Sequence, residues 1–409
     1  MKSNRKTKVI LIILGIIFAF SLVITANHNF KNSEISDDIN LDNEDLKISK
    51  ASAPIHIDDT NPSMNWSVAK KDGICTGNGT YSEPYVIEDL EIDGGGSGSC
   101  ILIENSYVYF RIENCTVYNT GINWSSISTG IELYNTRNGM LNDNNCSSSM
   151  YGIYLSFCDY NTIMGNTVFN NQFGVILDYS DSNNITGNTV YNNYWGIRAV
   201  GLFPHPAYNY ISENNVINNG IGITIDFSYY TNVTMNIAFN NTHYGIYIFR
   251  SDNNTISGNT ASNNEYGIYI RRSDYNSLGG NTASNNEYGI YIYRSDNNTI
   301  SGNAANNNNI GIYLEESDHN RILGNTANNN NYGIYLYESN HNNVSGNILL
   351  GNDECIAEFR CKGNIFSDNG SCTYGQGGGI IAGYNLFILL GILSVAIILI
   401  GKKLLDKNH

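Results

Sequence analysis

Three sets of side chains in this sequence have the type and spacing to do chemistry. Tyr247, Tyr269, Tyr291, Tyr313 and Tyr335 recur along the chain, and two residues after each stands Phe249, Arg271, Tyr293, Glu315 or Tyr337. Aromatic faces beside polar groups hold the apolar faces of sugars, so the five tyrosines with Arg271 and Tyr293 form a candidate ligand-binding set. The alternative is that tyrosine simply covers an exposed sheet well. Asp252, Asp274, Asp296 and Asp318 repeat at another position, with Asp159 and Asp181 earlier in the chain. Carboxylate oxygens suit calcium. Arg250, Arg272 and Arg294 stand two residues before the first three aspartates and would relieve like-charge repulsion without a metal. His319 and His341, with Glu316 and Glu338 nearby, are the candidate copper or zinc ligands, against the plain reading of a solvated corner. The sequence commits to no cofactor, and copper and calcium are the two candidates.

Sugar-cleaving chemistry would need clustered acids with a base, or a pair of acids. Acids and arginines here follow an even register, and the conspicuous break at 201–207 carries His205 without an acidic companion. A catalytic site usually disturbs a repeat. No catalytic residue is assigned on this reading, and the chain leans away from being an enzyme.

The elements that position these residues are repeats. Tyr266-Gly267-Ile268-Tyr269-Ile270 returns at Tyr288, at Ile310 and at Tyr332, a step of 22 residues each time. The glycine of this motif runs from Gly130 through Gly152, Gly174, Gly196, Gly222, Gly245, Gly267, Gly289 and Gly311 to Gly333, with four extra residues after Gly196 and one after Gly222. A fixed step marks units that bury their apolar faces only by stacking. Ile268 and Ile270 alternate with Tyr269 and Arg271, so the isoleucines share one strand face, while Leu278 and Ala283 supply two further inward positions. Asn276, Asn281 and Asn286 stand five residues apart, where asparagine suits left-handed corners and can bond to its own copy one coil away. Three corners joining three short strands predict an all-β, single-stranded parallel β-helix of about ten coils, roughly 50 Å long. A leucine-rich horseshoe lacks both its leucine pattern and its helical return here.

The termini set the context. Lys2, Arg5, Lys6 and Lys8 precede an apolar run, so 1–26 reads as a signal peptide or N-terminal anchor, and 27–51 as a disordered acidic spacer. Residues 52–99 read as the opening cap of the β-helix, 100–350 as the helix itself, and 351–376 as a cysteine-containing closing cap and hinge. The apolar stretch 377–401 predicts a C-terminal transmembrane helix, with 402–409 a basic cytoplasmic tail. The β-helix is then expected outside the cell, held at the cell membrane by this span, with a second N-terminal span if the first apolar run is not cleaved. Eight cysteines on an exported chain point to disulfides, the candidates being Cys355, Cys361, Cys372, Cys75 and Cys100. Cys146 and Cys158 stand in repeat columns that take small packed residues. A net charge of −15 speaks against nucleic acid as a partner. The sequons, Asn253 and Asn297 among them, are as many as an asparagine-rich repeat would create by chance.

The Gly-Ile-Tyr-Leu/Ile … Ser-Asp-x-Asn-x-Ile-x-Gly-Asn-Thr pattern over about 52–370 resembles the right-handed parallel β-helix repeats of the NosD-like group. Pro54-Ile55-His56-Ile57, Gly77-Asn78-Gly79-Thr80 and Pro84-Tyr85-Val86-Ile87-Glu88 resemble the opening cap of archaeal members. The resemblance implies a surface or periplasmic protein with repeats shared by carbohydrate-binding proteins and sugar hydrolases. The reading it leaves is a glycan-binding, adhesive or structural surface module whose partners are surface glycans or other cell-surface proteins. The alternatives are a polysaccharide-active lyase, hydrolase or epimerase on the same scaffold, and a copper-handling accessory protein.

Overall fold

The structure, a computed structural model, describes residues 50–122, 127–201, 207–370, 372–375 and 380–381. Each coil runs through three short strands, and the coils stack into three parallel walls. The long wall has 15 strands, mostly of six residues, such as Tyr266–Arg271 and Tyr288–Tyr293. The second wall has 13, such as Ser277–Gly279, and the third has 9, ending at Thr260–Ser262. Beyond Ser262 the third wall continues as single bridges, Thr260 to Thr282 to Ala304 to Thr326 to Ile348. Its inward residue changes from Val168, Val190 and Val216 to Ala238, Ala261, Ala283, Ala305 and Ala327, beginning two strands before the wall narrows to bridges, and alanine fits a pleated surface less well than valine.

Beyond a shift between Ser147 and Ser149, register holds along the repeat: Ile268 pairs with Ile290 and Tyr269 with Tyr291, and Leu278 pairs with Ile300. The inward residues Ile268, Ile270, Leu278 and Ala283 are fully buried, as are their copies in neighbouring coils. The coils outnumber the ten expected because the opening segment already contributes to all three walls, with Ile55–Asp58, Tyr85–Glu88 and Leu90–Asp93. Between the first two of these strands, a short helix, Trp66–Lys71, is capped by Asn65, whose side chain accepts from the Val68 N–H. It delivers Trp66 into the core, stacked on Tyr85 at 4.9 Å and donating its indole N–H to Ser106 Oγ at 2.8 Å.

The asparagine columns are the polar half of the core. Asn281 donates its backbone N–H and its amide to Asn303 Oδ1, both at 2.9 Å, and the amide also reaches the Ile256 carbonyl at 2.8 Å. Asn281 and Asn303 each join their own copy and the backbone of a neighbouring coil, as buried polar groups usually do, whereas the buried Asn254 Nδ2 has no partner among the described residues. The left-handed corners lie elsewhere than expected. The residues with positive φ precede the ladder asparagines by one position, Tyr275 (58°), Gly280 (63°) and Asn285 (60°), with Arg272 (51°) at a further corner. Asn276, Asn281 and Asn286 are the inward residues just after the turn, where an amide can reach along the stack.

Among the described residues no helix is long and apolar enough to cross a membrane. The start of the apolar C-terminal stretch, Ile380–Ile381, pairs antiparallel with Cys372 and Thr373. The rest of the expected span, the signal or anchor at 1–26 and nearly all of the acidic spacer lie outside the described residues.

Candidate functional site

The outward face of the long wall carries the tyrosines, and their geometry differs from an open aromatic grid. Tyr247, Tyr269, Tyr291, Tyr313 and Tyr335 stack on one another with ring centroids 5.2, 4.7, 4.7 and 5.2 Å apart. A second column, Tyr244, Tyr266 and Tyr288, stacks against the first, with Tyr266 5.3 Å from Tyr269. The flat faces are thus spent on other tyrosines, and Tyr269 is buried at 7% exposure. Burial pushes the Tyr266 phenol up to about 12. Burial, together with the Glu315 carboxylate that accepts its O–H, holds the Tyr291 phenol far above the ordinary range. Arg271 lies between the rings of Phe249 and Tyr293, 5.5 and 5.8 Å from their centroids. This half of the wall presents ring edges and hydroxyls.

Above Tyr247 the same columns change character. The column continues backwards through Thr224, Arg198, Ile176, Tyr154 and Glu132. The column two residues along runs through Phe249, Asp226, Val200, Asp178, Ser156 and Tyr134. Tyr154 donates its O–H to Asp178 Oδ2 at 3.1 Å, and the Arg198 guanidinium donates to Asp226 Oδ2 at 2.6 Å while lying 4.9 Å from the Trp195 ring. Burial raises Asp178 above the usual carboxylate range, against the opposing pull of Tyr154 and Arg198. Burial also raises Glu132, which accepts from the Ser99 hydroxyl.

Beside this cluster, at the corner after the long wall, Phe157 and Tyr179 stand 48% and 41% exposed with ring centroids 5.5 Å apart. A little further round, Tyr208 and Tyr230 stack at 5.5 Å and are also exposed. These residues are not legible from the tyrosine column because they are not among its repeats. The available signal was contrast: the corner that holds Arg250, Arg272 and Arg294 lower down holds Phe157 and Tyr179 here.

The cation candidates are arranged as structure. The His319 and His341 rings are stacked, 5.2 Å apart and 10° from parallel, on an exposed corner. Glu316 pairs with Arg294 at 2.7 Å and Glu338 with Arg360 at 2.8 Å. The aspartate ladder is relieved differently from the expectation of a mixed-sign ladder. Asp252 Oδ1 accepts from the Asp274 N–H at 2.8 Å, and Asp274 and Asp296 accept from the next coil at 2.7 Å. From Asp252 to Asp296 backbone amides rather than arginines are the donors, with Arg250 over the rings of Phe227 and Phe249 and Arg294 turned to Glu316, whereas further up Asp159 pairs with Arg137 at 3.0 Å. Among the described residues no group of three or more His, Cys, Asp or Glu could hold a metal ion.

Cys75, Cys100 and Cys361 are free thiols, contrary to the disulfide expectation for them, and the side chain of Cys372 lies outside the described residues. Cys361 takes the place of the ladder serine, its Sγ accepting from the Ser339 N–H at 3.4 Å, as Ser339 Oγ does from Ser317 at 3.0 Å. Cys355 faces the Leu349 carbonyl. Burial pushes the Cys75 and Cys100 thiols up to about 11, which makes them poor nucleophiles.

The profile of the right handed beta helix region matches residues 22–203, 99–261 and 222–387. The chain therefore belongs to the right-handed β-helix family. Its narrower resemblance to the NosD-like group is a finer reading than this match. No curated protein matches the chain. Among solved structures it is similar to the A-module of a mannuronan C-5 epimerase of Azotobacter vinelandii, at 12% identity and TM-score 0.49 over 71% of this chain and 92% of that one. It is also similar to DFA-IIIase from Arthrobacter chlorophenolicus A6 without its lid, at 15% identity and TM-score 0.49 over 57% of this chain and 70% of that one. At these identities the likeness is one of fold.

Proposed function

We propose that the protein binds glycans outside the cell, on the upper long wall and the corner beside it. The observation that carries the reading is the exposed, stacked pair Phe157 and Tyr179, with Asp178 immediately before Tyr179 and Arg198 on the adjacent strand of the wall. Exposed rings offer apolar faces, and a carboxylate and a guanidinium beside them offer hydroxyl partners, the combination that holds a sugar. The stacked tyrosines from Tyr247 to Tyr335 extend the same face as a stiff, hydroxyl-edged surface. The apolar stretch 377–401, followed by Lys402, Lys403 and Lys407, serves as the membrane tether in this reading, with the β-helix on the outer side.

A glycan array probed with the full chain in nanodiscs tests the binding. Phe157→Ala and Tyr179→Ala should each weaken binding about tenfold or more, about 1.4 kcal/mol, with little change in melting temperature. Protease digestion of intact cells tests the placement, and a β-helix protected from added protease would sink it. A wild-type chain that binds no glycan, or variants that bind as well as wild type, would overturn the reading.

A further inference from the structure

We infer that the protein itself carries sugar, N-linked to Asn253 and Asn297 at the corner that leads into the second wall. From the reading above this takes only the placement of the β-helix outside the cell, since Asn-x-Ser/Thr sequons are modified on exported chains. Sequons are spread along the whole sequence, and the structure separates them by what each asparagine amide is already doing. Asn65 caps the helix Trp66–Lys71. Asn78 and Asn114 donate to the carboxylates of Glu83 and Asp89, and Asn240 donates to Asn218 Oδ1 at 2.7 Å. Asn145, Asn184, Asn232 and Asn343 lie half-buried within wall strands. Asn369 is buried in a ladder, accepting from the Asn347 N–H.

Asn253 and Asn297 differ from every other sequon among the described residues. Both are exposed, and both stand at a left-handed corner, with φ of 59° and 58°. Neither side chain makes a hydrogen bond among the described residues, so the amide nitrogen is open to a transferase. Their sequon threonines, Thr255 and Thr299, begin the strands Thr255–Ser257 and Thr299–Ser301 and are not buried. The outward positions of that wall stay small here, with Ser277 and Gly279 on the strand between, so no large side chain stands in the way.

The two asparagines also share a neighbour. Thr255 pairs with Ser277 and Ser277 with Thr299, so Asn253, Tyr275 and Asn297 take the same position in three successive coils. Two coil spacings set the asparagine backbones about 9–10 Å apart. Where this column has two rings in succession they stack, as Tyr208 does on Tyr230 and His319 on His341. Tyr275 has an asparagine on either side instead, is 61% exposed, and stacks on no ring among the described residues. Its ring is an apolar platform for the first sugar on either asparagine. In the transfer, asparagine Nδ2 bonds to C1 of an oligosaccharide activated as a lipid-linked diphosphate. The C1–O bond breaks, the diphosphate leaves with its electron pair, and the amide gives up one proton to the transferase.

Glycopeptide mass spectrometry of the full chain from its native cells tests the assignment. Trypsin places the two sites on separate peptides, Ser251–Arg271 and Ser295–Arg321, and both should carry sugar. Thr255→Ala should abolish the sugar on Asn253 and leave that on Asn297, while Thr255→Ser, which keeps the hydroxyl, should retain both. Iodination of Tyr275 in the folded chain should rise in the Thr255→Ala, Thr299→Ala double variant, and unchanged iodination would overturn its contact with sugar. Equal occupancy at Asn145, Asn184 and Asn343 would show attachment before folding and overturn the sorting by exposure. Bare peptides from a β-helix that protease added to intact cells digests would overturn the assignment and leave the glycan-binding reading standing. Bare peptides from a protected β-helix would overturn both.

Discussion

A β-carbon on Gly289 would lie 2.5 Å from the carbonyl oxygen of Gly311, its counterpart one coil along. It would also meet Asn308 Nδ2 at 2.7 Å and the Ala283 carbonyl at 3.0 Å. The invariant glycine of the repeat is therefore a matter of close approach between coils. Gly302 differs: its φ is 64°, and nothing lies within 4 Å of where a β-carbon would stand. Gly289→Ala should cost about 3 kcal/mol through forced displacement of packed backbone. Gly302→Ala should cost only about 1 kcal/mol, from backbone strain. Urea denaturation of the two variants measures the difference, and equal midpoints would refute the distinction.

Asn303 accepts from the Asn281 N–H at 2.9 Å and donates to the Leu278 carbonyl at 3.0 Å and to Asn325 Oδ1 at 2.9 Å. Replacing it with alanine strands a buried donor and a buried acceptor, each worth about 1–3 kcal/mol. Asn303→Ala should lower stability by about 3 kcal/mol or more. Hydrogen exchange should show lost protection in the coils on either side, since each repeat contacts only its neighbours. Protection lost evenly along the whole rod would contradict the nearest-neighbour picture.

Burial raises the carboxyls of Asp252, Asp274 and Asp296 above the ordinary value, against the opposing pull of the backbone N–H that each accepts. A carboxyl raised in the folded state penalises folding when ionised, so the penalty is present above the folded value and disappears as pH falls through it. Asp296→Asn keeps an acceptor for the Asp318 N–H, as Asn340 Oδ1 does for Lys362. The variant should melt roughly 1–2 °C higher than wild type at pH 7 and should lose that advantage near pH 4. A larger gain at acid pH than at neutral pH would reverse the sign and reject the argument.

The imidazoles of His319 and His341 are stacked face to face, 5.2 Å apart and 10° from parallel. A zinc or copper ion sits about 2.0–2.1 Å from each ligating nitrogen, so the two rings cannot share one ion without turning apart. Copper titrated into the full chain should bind the His319→Ala, His341→Ala double variant as tightly as wild type by calorimetry. A tenfold loss on removing the pair would show that the rings do turn to share a metal.

The repeat step, the inward Ile, Leu and Ala positions and the asparagine columns follow from sequence alone, because stacking in register makes one coil's environment a copy of the next. That is why a local pattern determined a global fold here, down to the bond between Asn281 and Asn303. The outward face was not legible in the same way. The sequence shows tyrosines at one spacing, but only the tertiary structure brings Tyr269 and Tyr291 to 4.7 Å and turns their faces on each other. It shows aspartates after arginines, but side-chain direction at a left-handed corner sends Arg294 to Glu316 and leaves the aspartates to backbone amides. Asp178 and Asp226 stand 48 positions apart in the chain with an insertion between them. Only wall register places them either side of Val200, because an insertion that loops out of a stacked scaffold leaves the columns on both sides of it intact.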